Sequence, residues 1–87
     1  MELSLTDTAK DDLRFFGKSG QKQVLKKIEQ LLSEMQVTPF DGTGKPEPLK
    51  YGLTGIWSRR INLEHRIVYE VIDNVVVIYS FRGHYQR

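Results

Sequence analysis

Apolar residues keep a helical spacing in the first part of the chain and a strand-like spacing in the last part. Leu3 and Leu5 alternate with polar neighbours, which predicts a short first strand. Ala9, Leu13 and Phe16 stand at i, i+4 and i+7 and predict one buried stripe of a first helix. Thr6 or Thr8 can cap it, Thr8 with Asp11 three residues on, and Gly17 is the expected stop. A second helix is predicted to open at Ser19 or Gly20. Val24, Leu25, Ile28, Leu31, Leu32 and Met35 carry its apolar face, and Lys22, Lys26, Lys27 and Glu29 are left mostly to solvent. Thr38-Pro39 closes it, because the residue before a proline avoids the helical region.

Residues 38–56 have no clear period. They hold all three prolines and four of the seven glycines. Loops of this length in a compact domain are usually functional or disordered. Phe40, Leu49, Tyr51, Leu53 and Ile56 punctuate this one and predict an ordered, docked segment. Three strands follow, over 57–62, 65–72 and 75–82. Asp73-Asn74 tolerates the positive φ of a two-residue hairpin turn. Val75 to Tyr79 is apolar on both faces, which predicts an interior strand. The resulting expectation is a single α+β domain over residues 1–87, ordered β-α-α-β-β-β. Its two N-terminal helices pack on one face of a small, mostly antiparallel sheet.

Composition narrows the function more than the fold. Cysteine is absent, so disulfides, thiolate metal sites and thiol nucleophiles are excluded. No signal peptide or membrane-spanning run is visible, and a cytoplasmic setting without a membrane partner is expected. The net charge is only +2. Its distribution is uneven: residues 1–43 carry 6 basic and 7 acidic groups, residues 44–87 carry 7 basic and 4 acidic groups. Such asymmetry points to a nucleic-acid-facing side.

Strand parity then places individual charges. Trp57, Arg59 and Ile61 share one face with Ile67, Tyr69 and Val71 if the odd set packs on the helices. Arg60 and Arg66 then converge on the helix-free face, where guanidinium groups suit a phosphate. Solvated arginines matched to Glu64 and Glu70 are the plainer reading of the same pattern. Lys45-Pro46-Glu47-Pro48-Leu49-Lys50 sets a carboxylate between two cations, which favour the ionised, proton-accepting form of a carboxylate. A solvated charged turn is the alternative there. His84 and Tyr85 follow the last strand, and imidazole changes charge near neutral pH. His65, at a strand start, reads as structural. The glycine-rich run Gly42-Thr43-Gly44-Lys45 neither follows a strand nor opens a helix, so it is a poor phosphate loop. No metal-ligand spacing is present, and no cofactor or metal is expected.

Four segments together carry a resemblance. Residues 44–50 (GKPEPLK), 55–61 (GIWSRRI), 64–69 (EHRIVY) and the ending Arg82-Gly83-His84-Tyr85 resemble the Txe/YoeB branch of the RelE/ParE toxin superfamily. Asp11-Asp12-Leu13 and Thr38-Pro39-Phe40 extend the likeness over essentially the whole chain. Gly83, Leu63 and the final Gln86-Arg87 depart from the family pattern.

The resemblance implies a RelE-like, microbial-ribonuclease-like fold. It implies a toxin of a type II toxin–antitoxin module that cuts mRNA in the ribosomal A site without a metal. Its partners would be mRNA on the ribosome, ribosomal RNA and a cognate antitoxin, with a homodimer left open. Lys22, Lys26 and Lys27 are candidates for ribosomal RNA phosphates. By motif position Glu47 corresponds to the general base, His84 to the general acid and Arg66 to the arginine that stabilises the phosphorane. Lys50 and Arg60 correspond to phosphate contacts and Tyr85 to the substrate-orienting tyrosine. Two rivals stay open. One is a non-catalytic RNA- or partner-binding domain on the same fold. The other is a ParE-like gyrase inhibitor, a branch without the Glu/His pair.

Overall fold

The computed structural model describes residues 1–50 and 52–83. The elements are β1 (Glu2–Leu5), α1 (Asp7–Lys18), α2 (Lys22–Met35), β2 (Glu47–Pro48), β3 (Ile56–Arg60), β4 (Arg66–Ile72) and β5 (Val75–Ser80). The strands form one sheet in the order β1-β5-β4-β3-β2. β1 runs parallel to β5 and every other pair is antiparallel. This is the α+β architecture expected from the pattern, with β5 in the interior. Among the described residues no helix is long and apolar enough to cross a membrane.

Local chemistry sets the helix ends. Thr6 caps α1: its hydroxyl oxygen accepts from the Ala9 N–H at 3.2 Å. The same hydroxyl donates to the Tyr79 carbonyl at 2.8 Å, tying the helix start to β5. The stop falls later than expected at Gly17, which stays helical. Gly20 takes φ +68 instead. Gln21 N–H then donates to Phe16 O at 3.0 Å and Gly20 N–H to Gly17 O at 3.3 Å. This is a Schellman motif, and it delays the start of α2 to Lys22 rather than residues 19–20. The strand expected over 57–62 ends at Arg60, and the one expected over 65–72 starts at Arg66. β2, a two-residue edge strand with Pro46 before it and Pro48 within it, lies inside the segment read as loop. Proline is tolerated there because an edge strand leaves one row of N–H groups unpaired.

The core joins Ala9 and Phe16 of α1 and Ile28, Leu31 and Met35 of α2 to Ile61, Ile67, Tyr69, Val76, Ile78 and Phe81. The odd residues of β3 and β4 therefore face the helices, as parity predicts. In β5 the pairs Val68↔Ser80 and Tyr69↔Ile78 leave Tyr79 as an extra residue. This bulge shifts parity by one and delivers Phe81, rather than Ser80, to the core.

One charged side chain stands inside this apolar layer. Arg59 has no exposed surface. Its Nη2 donates to the carbonyls of Thr38 at 3.0 Å, Pro39 at 3.3 Å and Asp41 at 2.6 Å. Its Nη1 lies 3.7 Å from Glu34 Oε1, which also accepts the Thr43 N–H at 3.0 Å. The Tyr69 hydroxyl donates to Pro39 O at 2.5 Å. Burial raises the phenol's pKa and keeps it a donor. Arg60 N–H donates to Gly44 O at 2.6 Å. Gly44 has φ +90, and a Cβ there would come within 2.5 Å of the Arg60 carbonyl. The segment over 38–44 is thus docked, as expected, and Arg59 is what docks it.

Arg59→Met takes the guanidinium from three carbonyls, of which Pro39 O keeps the Tyr69 hydroxyl, and leaves Glu34 without its cation; it should cost about 3 kcal/mol in urea unfolding. The Thr43 backbone N–H, then the Thr43 hydroxyl and the Arg59 charge, hold Glu34 below its ordinary 4.5, with limited burial opposing them. The stabilisation by its carboxylate is therefore complete above the unfolded-state value and lost as pH falls through the lower folded value. Thermal melts of Glu34→Gln should fall below wild type at pH 7, and the gap should close on acidification.

Candidate active site

The site is built on the helix-free face by register. Glu47 of β2 pairs with Ser58 of β3, and Ser58 pairs with Val68 of β4. Arg60 and Arg66 pair directly with each other, one row further along. Alternation along β3 buries Arg59 and leaves Arg60 exposed on the opposite face. Like charges opposed across a ladder repel, so both guanidiniums need an anion. Glu47 meets one of them: Arg66 Nη1 lies 3.1 Å from Glu47 Oε1. The Arg66 side chain is 43% exposed and that of Glu47 59%, so solvent and a ligand both reach the pair.

β2 is what brings Glu47 there. A loop carboxylate would have no fixed relation to Arg66, whereas two ladder residues aim it across β3. Lys50 is exposed, two residues beyond β2, and has no ion-pair partner among the described residues. Among the described residues no hydrogen bond or ion pair joins it to Glu47 or Arg66. His84 and Tyr85 lie outside the described residues. The preceding residues are placed: Gly83 N–H donates to the Arg66 carbonyl at 3.1 Å. The chain therefore reaches the position before His84 at the backbone of Arg66.

Other candidates have structural duties. His65 packs its ring edge-to-face against Phe16, with centroids 5.0 Å apart, on the helix side of the sheet. The glycines of the run over 42–45 serve close approach to Glu34, Arg59 and Arg60. Two buried charged residues, Arg59 and Asp12, were not anticipated as organising groups. Parity already set Arg59 on the apolar face with Trp57 and Ile61, which was the available signal.

A family model described as the YoeB-like toxin of bacterial type II toxin–antitoxin systems matches residues 5–85. The chain belongs to this family. Toxin YoeB of Synechocystis sp. is 47% identical over 87 residues, all of both chains. The YoeB/ParE toxin structure from Agrobacterium tumefaciens superposes with a TM-score of 0.89 at 40% identity, covering 98% of this chain and all of that one. YoeB of Staphylococcus aureus is 42% identical, covers 98% of each chain, and has been solved as a dimer (TM-score 0.85). It has also been solved as a heterotetrameric YoeB-YefM toxin–antitoxin complex (TM-score 0.83) at the same identity and coverage. The chain is thus a type II toxin of the YoeB-like family.

The ion pair between Glu47 and Arg66 is too exposed to stabilise the fold strongly. Glu47→Gln and Arg66→Ala should each change unfolding free energy by less than about 1 kcal/mol in denaturant titration. Larger losses would mean that the pair serves the scaffold.

Proposed function

We propose that the chain is a ribosome-dependent mRNA endoribonuclease working in the cytoplasm, where it meets translating ribosomes. The observation that carries this reading is the contact of Glu47 with Arg66 beside the opposed Arg60. A carboxylate and two guanidiniums on one open face suit a phosphodiester that needs both a base and counter-charge. In the resting protein Arg66 holds Glu47. An arriving phosphate competes for Arg66, at small cost because exposed pairs are weak, and releases the carboxylate.

Glu47 then takes the proton of the 2′-hydroxyl. The 2′-oxygen attacks the adjacent phosphorus and the bond to the 5′-oxygen breaks. His84 gives that oxygen its proton. Arg66 and Arg60, with Lys50 at the border, stabilise charge on the non-bridging oxygens as it grows. Tyr85 orients the substrate. The products are a 2′,3′-cyclic phosphate and a 5′-hydroxyl. With a net charge of only +2, the chain depends on the ribosome to present mRNA. A cognate antitoxin neutralises it, in keeping with the YoeB-YefM complex of the Staphylococcus aureus relative. Self-association is a second mode, in keeping with that relative's dimer.

Primer extension on mRNA in a translation extract tests the assignment. Glu47→Gln and His84→Gln should each slow cutting by at least ~10²-fold, the usual contribution of one acid or base. Equal cutting by the three proteins would contradict it. Arg66→Ala should lower the rate on saturating ribosomes more than it weakens ribosome binding, because its charge is needed mainly in the transition state.

A further inference from the structure

Asp12 is a buried carboxylate, 6% exposed, on the inner face of α1. Burying a carboxylate costs free energy unless it is hydrogen-bonded. Its partner is a backbone group 69 residues away: Oδ2 accepts the Phe81 N–H at 2.8 Å. Phe81 directly follows β5 and its side chain is fully buried. The next residue is held by the same helix, with the Arg82 guanidinium 3.8 Å above the centre of the Phe15 ring. The third, Gly83, donates its N–H to the Arg66 carbonyl at 3.1 Å. Three consecutive residues are thus fastened, two to α1 and one to the arginine of the site. His84 comes next in the chain.

We infer that Asp12 is a positioning residue: by holding Phe81 it fixes the root of the segment that carries His84 against the backbone of Arg66. The tether explains why a carboxylate is buried in α1 far from the catalytic face. The regular β4–β5 ladder ends at Ser80, and beyond it a chain end needs further fastenings to stay fixed. It also explains the bulge at Tyr79. Without that extra residue Ser80, not Phe81, would face α1, and the N–H that Asp12 accepts would be out of register. The inference rests on the proposed role of His84 as acid, and its tests separate the two.

The catalysis-free readout is amide hydrogen exchange in the whole chain. Gly83 should be protected in wild type and in Asp12→Asn, whose amide oxygen still accepts the Phe81 N–H. In Asp12→Ala it should exchange about 10-fold faster or more as the local opening becomes easier. Unchanged protection at Gly83 in Asp12→Ala, with the core still protected, overturns the inference whatever the enzyme does.

The catalytic readout is single-turnover cleavage on programmed ribosomes. Asp12→Ala should lower the saturating rate at least ~10-fold, part of the factor an acid supplies. The ribosome concentration for half-saturation should stay unchanged, and Asp12→Asn should restore most of the rate. In the His84→Gln background Asp12→Ala should cost nothing more, while with Glu47→Gln it should cost its full factor. Equal losses in both backgrounds would mean a general structural role and overturn the inference. A wild type that cuts no mRNA would sink the proposed function instead, leaving hydrogen exchange to decide the tether.

Discussion

A guanidinium buried under the sheet holds this molecule in its working shape. Arg59 donates to three carbonyls of the segment over 38–44 and faces Glu34 across 3.7 Å. Carbonyls in an irregular segment have no ladder to satisfy them, and leaving them buried and unpaired is costly. One planar side chain with five donors does what a strand would do elsewhere. The consequence runs along the chain. Once residues 38–44 are pinned beside β3, Gly44 receives the Arg60 N–H. The prolines then have only a short path to the edge of the sheet, where Glu47 pairs with Ser58.

The adjacent arginines of β3 divide the labour because strand residues alternate. Arg59 points into the core and fixes the approach of β2. Arg60 points out and stands opposite Arg66. The proposed catalytic face therefore has two supports buried behind it. Arg59 sets the segment that brings in Glu47, and Asp12 of α1 holds the segment that leads to His84. Both are charged groups whose cost of burial is offset by backbone partners. Neither lies on the open face, so a rigid face is obtained from a chain with little core to spare.

The sequence was most legible where period and parity act alone. The helical stripes, the β4–β5 hairpin and the shared face of Arg60 and Arg66 all follow from spacing. It was less legible where one backbone contact decides. Spacing reads Gly17 as the helix stop and Gly20 as an opening of the next helix, and only the bond from the Gln21 N–H to the Phe16 carbonyl moves the stop to Gly20. β2 has only two residues, one of them a proline, and another proline just before it, so no propensity marks it; its approach to β3 follows from the docking of residues 38–44 by Arg59. The bulge at Tyr79 breaks the alternation inside a run that is apolar on both faces, where parity carries no signal. Glu47, Arg60 and Arg66 gain a common place in the structure. The roles of His84 and Tyr85 rest on motif position.

Acid–base cleavage through the neighbouring hydroxyl leaves a chemical signature on the RNA. The most direct measurement is the end chemistry of mRNA cut on ribosomes by the purified chain. A 5′-hydroxyl on the downstream fragment and a 2′,3′-cyclic phosphate on the upstream one are the predicted ends, with both fragments absent when Glu47 is glutamine. A 5′-phosphate on the downstream fragment, or cutting that survives Glu47→Gln, would contradict the account.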